Sequence, residues 1–308
     1  MTSTTQPATR GTRDTRRKVR DTGPSGWFAA PALIFFTVFA IVPLVGVLAL
    51  SFANWNGIGA ITWAGMGNWL NVLTDPVTGN ALVVTLKIMV FSYVVQAPIS
   101  ILLGAFVAGK QRYRALLAVL YFVPLLLSSA AVAIAFKALL DPNFGLGAGL
   151  GIPLLAQDWL GNPDLVLFVV IFVIAWQFVP FHTLIYQGAV RQIPASMYEA
   201  ARLDGAGTVA QFFHITLPQL KYTIITSSTL MVVGSLTYFD LIFVLTGGGP
   251  GYSTRLLPLQ MYLTGFKAND MGAASALGVI LVVIGLALAL MLQRLGGKDR
   301  AANQTEGA

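Results

Sequence analysis

Six apolar runs, near 27–52, 81–109, 115–139, 165–189, 221–245 and 272–293, dominate this 308-residue chain. Each is long enough to cross a bilayer, which takes about 20 helical residues. Lipid offers the backbone no hydrogen-bond partner, so helices are the economical way across. Composition agrees. Only 10% of the residues are charged, where a soluble domain carries about a quarter. The expected fold class is all-α: a polytopic membrane bundle of six transmembrane helices. Pro43, Pro98, Pro124 and Pro180 fall inside the runs. Each removes a backbone donor and predicts a kink.

Lys and Arg alternate between the segments that join the runs. Arg10, Arg13, Arg16, Arg17, Lys18 and Arg20 precede the first run, and the segment after it has none. Lys110, Arg112 and Arg114 follow the second, and only Lys137 marks the end of the third. Arg191, Arg202 and Lys221 follow the fourth; Arg255 and Lys267 follow the fifth; Arg294, Lys298 and Arg300 end the chain. Basic segments stay on the cytoplasmic side, so both termini and the loop before Lys221 are expected there. Topology thus accounts for the net charge of +7 without nucleic acid. The division expected is a disordered basic tail over 1–26, a transmembrane domain over 27–294 and a tail over 295–308. The run 27–52 far exceeds the roughly 7–15 residues of a signal-peptide core, so it reads as an uncleaved helix.

Several chemistries are excluded. There is no Cys, and His182 and His214 lie far apart, so a metal site is not expected. No Ser/His/Asp set or paired carboxylates suit catalysis. "GAFVAGKQ" (Gly104–Gln111) nearly matches a phosphate-binding loop. That loop needs Ser or Thr after the Lys and a strand before the Gly, and here it has neither. It reads as a helix end followed by a basic turn. "GLGAGLG" (Gly145–Gly151), between Pro142 and Pro153, reads as a flexible external loop. The protein is expected to have no cofactor and no ATPase site of its own.

One polar segment stands out between the fourth and fifth runs. Pro194 suits a first helical turn, and "ASMYEAARL" supplies good helix formers around Glu199, Ala200 and Ala201. Gly205 can end that helix in a left-handed turn. "TVAQFFHITL" offers a second short helix before Pro218. Small Ala side chains let a partner approach closely, and Glu199 fixes register. The other reading is an amphipathic loop on the membrane surface with Phe212 and Phe213 in lipid.

"EAARLDGAGTVAQFFHITLP" resembles the EAA loop of binding-protein-dependent ABC importer permeases. Glu199, Ala200, Ala201, Gly205, Ile215, Leu217 and Pro218 stand at that family's spacing. "GMGNWLNVLTDP" (Gly65–Pro76) and "VLTGGGPGYST" (Val244–Thr254) are similar to the maltose/glycerol-phosphate-type sugar permeases. The resemblance implies a multi-pass protein of the bacterial cell membrane that works in a heterodimer with a second permease. It also implies two ATPase subunits that bind the ATP, and an extracytoplasmic solute-binding protein that delivers a sugar. Movement of the EAA loop would couple ATP-driven closure of the ATPases to alternating access.

Polar residues inside spans are costly and often functional. Gln177, Ser129, Ser235, Tyr238 and Asp240 are the candidate pathway residues. Ser235 and Tyr238, three apart on one helix, are expected to share a face. Asp240 is about 200° around that helix from Tyr238, which favours a structural role. Ser128 and Ser129 could instead bond back to their own helix. Lys87 and Lys137, near span ends, are expected to snorkel. The rival from another class is a self-contained, proton-coupled carrier using Asp240. An internal sequence repeat would favour this rival, and none is visible.

Overall fold

A computed structural model describes residues 26–109 and 112–305. All of the expected disordered tail but Gly26, residues 110 and 111 of the basic turn, and the last three residues lie outside them. Helix α1 (Trp27–Leu50) opens the described chain. A wide π-type turn at Thr37–Ile41 interrupts it just before Pro43. None of its residues up to 45 is buried.

After α1 the chain departs from pure helix. Strands β1 (Ala53–Asn54) and β2 (Thr62–Trp63) pair antiparallel, with Ala53 opposite Trp63. Helix α2 (Gly67–Thr74) anchors them. Buried Asn68 donates from Nδ2 to the Ala53 and Ser51 carbonyl oxygens, at 2.9 and 3.1 Å. Asp75 then caps α3 (Pro76–Val107) by accepting from the Val77 and Thr78 amides.

The third apolar run is not one helix. Helices α4 (Arg112–Leu126) and α5 (Ser129–Leu139) meet at a 97° bend. Pro124 weakens the end of α4. Ser128 then turns extended (ψ 148°) and caps α5, its Oγ accepting from the Ala131 amide at 3.2 Å. Ser128 therefore starts a new helix and does not sit within a continuous span. The Gly-rich segment that follows is also more ordered than expected. It forms α6 (Leu146–Leu150), where a Cβ on Gly147 would collide with the Leu155–Ala156 backbone.

Helix α7 (Val166–Val190) is unbroken. Then come α8 (Ala195–Leu203), α9 (Thr208–Gln211) and α10 (Leu217–Gln219). The fifth run is again bent, by 48°, between α11 (Lys221–Ser235) and α12 (Phe239–Leu245). No Pro causes this break. It falls after Gly234–Ser235, a pairing prone to kinking, and the Thr237 hydroxyl bonds back to the Gly234 carbonyl at 2.7 Å. Helices α13 (Leu257–Tyr262) and α14 (Met271–Thr305) complete the described chain. Helix α14 runs well into the segment expected to be a tail. The described residues thus give four continuous spans, and six when each bent pair counts as one.

Helices α3 and α7 share the most extensive interface. At Gly104 the two helices pack with no room for a side chain. A Cβ there would stand 2.6 Å from the Tyr186 Cβ and 3.1 Å from the Thr183 carbonyl oxygen. The Gly of the phosphate-loop lookalike is thus a helix-crossing residue. The second halves of the two broken runs, α5 and α12, pack on each other. Val132, Ala133, Leu241, Ile242 and Leu245 join Val170 and Ile174 of α7 in the main apolar core.

Candidate functional site

The polar segment forms the expected helix–turn–helix. Pro194 itself is not helical (ψ 132°) and stands one residue before α8. At the other end Gly205 takes φ +80°. Its amide donates to the Arg202 carbonyl at 3.0 Å, and the Ala206 amide to Ala201 at 2.8 Å. These two bonds make the left-handed closure that satisfies the last carbonyls of a helix. A Cβ added at Gly205 would meet no atom within 4 Å, so its φ alone demands Gly there.

The return arm is wider. Phe212–Thr216 forms a π-type turn between α9 and α10. Two bonds tie the arms. Tyr198 Oη and Thr216 Oγ1 are 2.9 Å apart, and Gln211 Nε2 donates to the Ala206 carbonyl at 2.7 Å. No residue of α8 is buried. Glu199, Ala200, Gly205 and Pro218 are exposed, while Ala201, Ile215 and Leu217 are half-buried. Leu203 is 90% exposed and Val209 71%. This loop spends its hydrogen bonds on its own shape and leaves apolar side chains unpartnered.

A cavity of about 380 Å³ opens where the two broken runs meet. Ser129, Thr237, Tyr238, Asp240 and His182 supply its polar lining, and Phe178 and Phe181 supply aromatic surface. The breaks create it. One ends at Ser129, the first residue of α5, and the other at Tyr238, which precedes α12. Tyr238 stacks on Phe178, ring centroids 5.3 Å apart. His182 is buried, with Nδ1 2.9 Å from Ser227 Oγ.

Three expectations about the pathway residues change. Helical spacing puts Tyr238 and Asp240 on opposite sides of one helix, but the break at 236–238 ends that helix, and both line the cavity. Ser235 does not share it: its Oγ bonds back to the Val232 carbonyl at 2.6 Å, and it is absent from the lining. Gln177 is also absent. Its Nε2 donates to the Leu127 carbonyl at 3.3 Å and to Ser129 Oγ at 3.2 Å. It braces the bend, while Ser129 reaches the cavity. His182 and Thr237 join the lining without having been expected there. His182 lies one turn beyond Phe178, a spacing that shares a face. Thr237 gives no such signal without the break.

Comparison with known proteins agrees with this geometry. Residues 98–298 match the family described as binding-protein-dependent transport system inner membrane component, and the chain belongs to it. It is therefore a multi-pass permease of the cell membrane in an ABC importer, and ATP is bound by a separate subunit. The chain is 34% identical over 271 residues to the probable ABC transporter permease protein YurN of Bacillus subtilis, covering 86% of this chain and 92% of that protein. It is also 34% identical to the multiple sugar-binding transport system permease protein MsmF of Streptococcus mutans, covering 87% and 94%. Among solved structures, a bacterial ABC importer of the acidic polysaccharide alginate superposes with a TM-score of 0.77 at 22% identity, over 88% of this chain and 95% of that one. That likeness concerns the fold.

Proposed function

We propose that this permease imports a sugar or oligosaccharide, that its loop 194–218 is the docking surface for the ATPase, and that the cavity between the bent spans lies on the sugar pathway. The observation that carries the reading is the loop. A self-braced turn with a Gly-dependent closure presents Glu199, Ala200 and Leu203 to solvent. Exposed apolar side chains on a rigid scaffold suit a protein partner. The sugar assignment draws on the relatives' names, MsmF among them. It also draws on the cavity, because hydroxyls, an imidazole, a carboxylate and aromatic faces suit sugar hydroxyls and ring surfaces.

The proposed assembly has a second permease, two ATPase subunits and an extracytoplasmic binding protein. Both termini and the loop face the cytoplasm, in keeping with the Lys/Arg alternation. Closure of the ATPases moves the loop, and the bundle alternates between inward-open and outward-open. Membership in the importer family leaves no ground for the proton-coupled rival. The test is Glu199→Lys in the complete complex. The expected result is normal membrane insertion with uptake lost. Normal uptake by the charge reversal would remove the docking assignment.

A further inference from the structure

The cavity carries an unbalanced charge, and this bears on which sugars it accepts. Asp240 lines it, and no Lys or Arg does among the described residues. Asp240 has no hydrogen bond or ion pair to a described side chain. The other group of the lining that can carry positive charge, His182, is buried and has Nδ1 committed to Ser227. Tyr238 is only 8% exposed and already stacked on Phe178, so it offers the cavity an edge and no cation. Asp240 is exposed, so its carboxylate is open to whatever group enters the cavity, with no lining Lys or Arg beside it to offset a like charge.

We infer that Asp240 makes this cavity selective by charge: it accepts neutral and amino sugars and rejects uronates. This rests on the reading that the cavity lies on the pathway. A carboxylate accepts hydrogen bonds from two neighbouring sugar hydroxyls, and more strongly from a sugar ammonium. A substrate carboxylate placed there meets a like charge with no cation between, and such juxtapositions are strongly disfavoured. Discrimination of this kind comes from the repulsive element as much as from the attractive one.

The experiment measures equilibrium binding of three radiolabelled probes to the purified complete complex without the binding protein, so that delivery does not filter them. The probes are one neutral oligosaccharide, its uronate and its amino-sugar form. Wild type should bind the amino form at least as tightly as the neutral one, and the uronate about tenfold or more weakly. Asp240→Asn keeps the shape and removes the charge. It should bring the uronate to within about threefold of the neutral sugar and abolish any preference for the amino form. Asp240→Glu should restore the wild-type order.

Unchanged ratios in Asp240→Asn would overturn the inference. Tyr238→Leu separates that failure from failure of the pathway reading. If it weakens all three probes while Asp240→Asn leaves the ratios alone, the charge inference falls and the cavity stands. If Tyr238→Leu changes nothing, or if the wild-type complex binds no probe, the cavity assignment falls and the charge inference falls with it.

Discussion

Gln177 donates its side-chain amide to the Leu127 carbonyl oxygen at 3.3 Å, across the corner between α4 and α5. In a continuous helix the Ala131 amide would serve that carbonyl, but here it goes to Ser128 Oγ. A residue of α7 thus supplies a donor that the bend takes away. The same amide nitrogen reaches Ser129, at the mouth of the cavity.

That brace separates two roles by mutation. Gln177→Leu leaves the Leu127 carbonyl without its side-chain donor, at a cost of about 1–3 kcal/mol. It should lower the melting temperature of the purified complex and cut uptake. Tyr238→Phe removes only the hydroxyl of a cavity-lining ring, keeps the stack on Phe178, and should cut uptake about tenfold with a smaller thermal change. Parallel melting and uptake measurements check this. Equal thermal loss in both variants would contradict the division.

The α3–α7 crossing gives a purely structural prediction. Gly104→Ala pushes a methyl group toward Tyr186 and Thr183, and overpacking of this kind costs about 1–3 kcal/mol. Gly188→Ala, on the same α7, meets no atom within 4 Å and serves as control. The first should destabilise the complex, and the second should leave it unchanged or slightly stabilised. Thermal unfolding of the two variants decides it.

Much of this architecture is legible in the sequence, because a bilayer-length apolar run has few alternatives. The runs at 81–109 and 165–189 correspond to α3 and α7 within a few residues. The loop is legible as well, since Pro194 and Gly205 punctuate a run of helix formers. The two breaks are not. Hydropathy is blind to a corner that stays apolar on both sides, as at Leu126–Ser129 and Leu236–Phe239. Without them Asp240 is misplaced relative to Tyr238, Ser235 is expected beside Tyr238 in the cavity although its Oγ bonds back to Val232, and Thr237 stays hidden. His182 reads from sequence only as a metal ligand to be dismissed, because its partner Ser227 is 45 residues away.

Orientation is open to labelling, because the chain has no native Cys. Ile58 is 95% exposed and Phe144 92%, and both are assigned to the outside. Cys at either position should react with an impermeant maleimide in intact cells. Cys at exposed Gln192 should react only after permeabilisation. The reverse pattern would invert the topology.

The loop's internal brace should matter to coupling. Tyr198→Phe removes the bond to Thr216, worth about 0.5–1.5 kcal/mol. The loop should loosen while its exposed face is kept. ATPase subunits should still co-purify, and sugar uptake per ATP hydrolysed should fall. An unchanged ratio would show that the two arms need no tie.

The central claim is that the exposed turn at Gly205 transmits the ATPase stroke. Gly205→Val forces a branched residue into φ +80° where space is open, so the fault is confined to the turn's conformation. The decisive measurement is binding-protein-stimulated ATP hydrolysis by the reconstituted complete complex carrying this substitution. The account predicts a permease that inserts normally but shows no stimulation and no uptake. Full stimulation with wild-type uptake would contradict it.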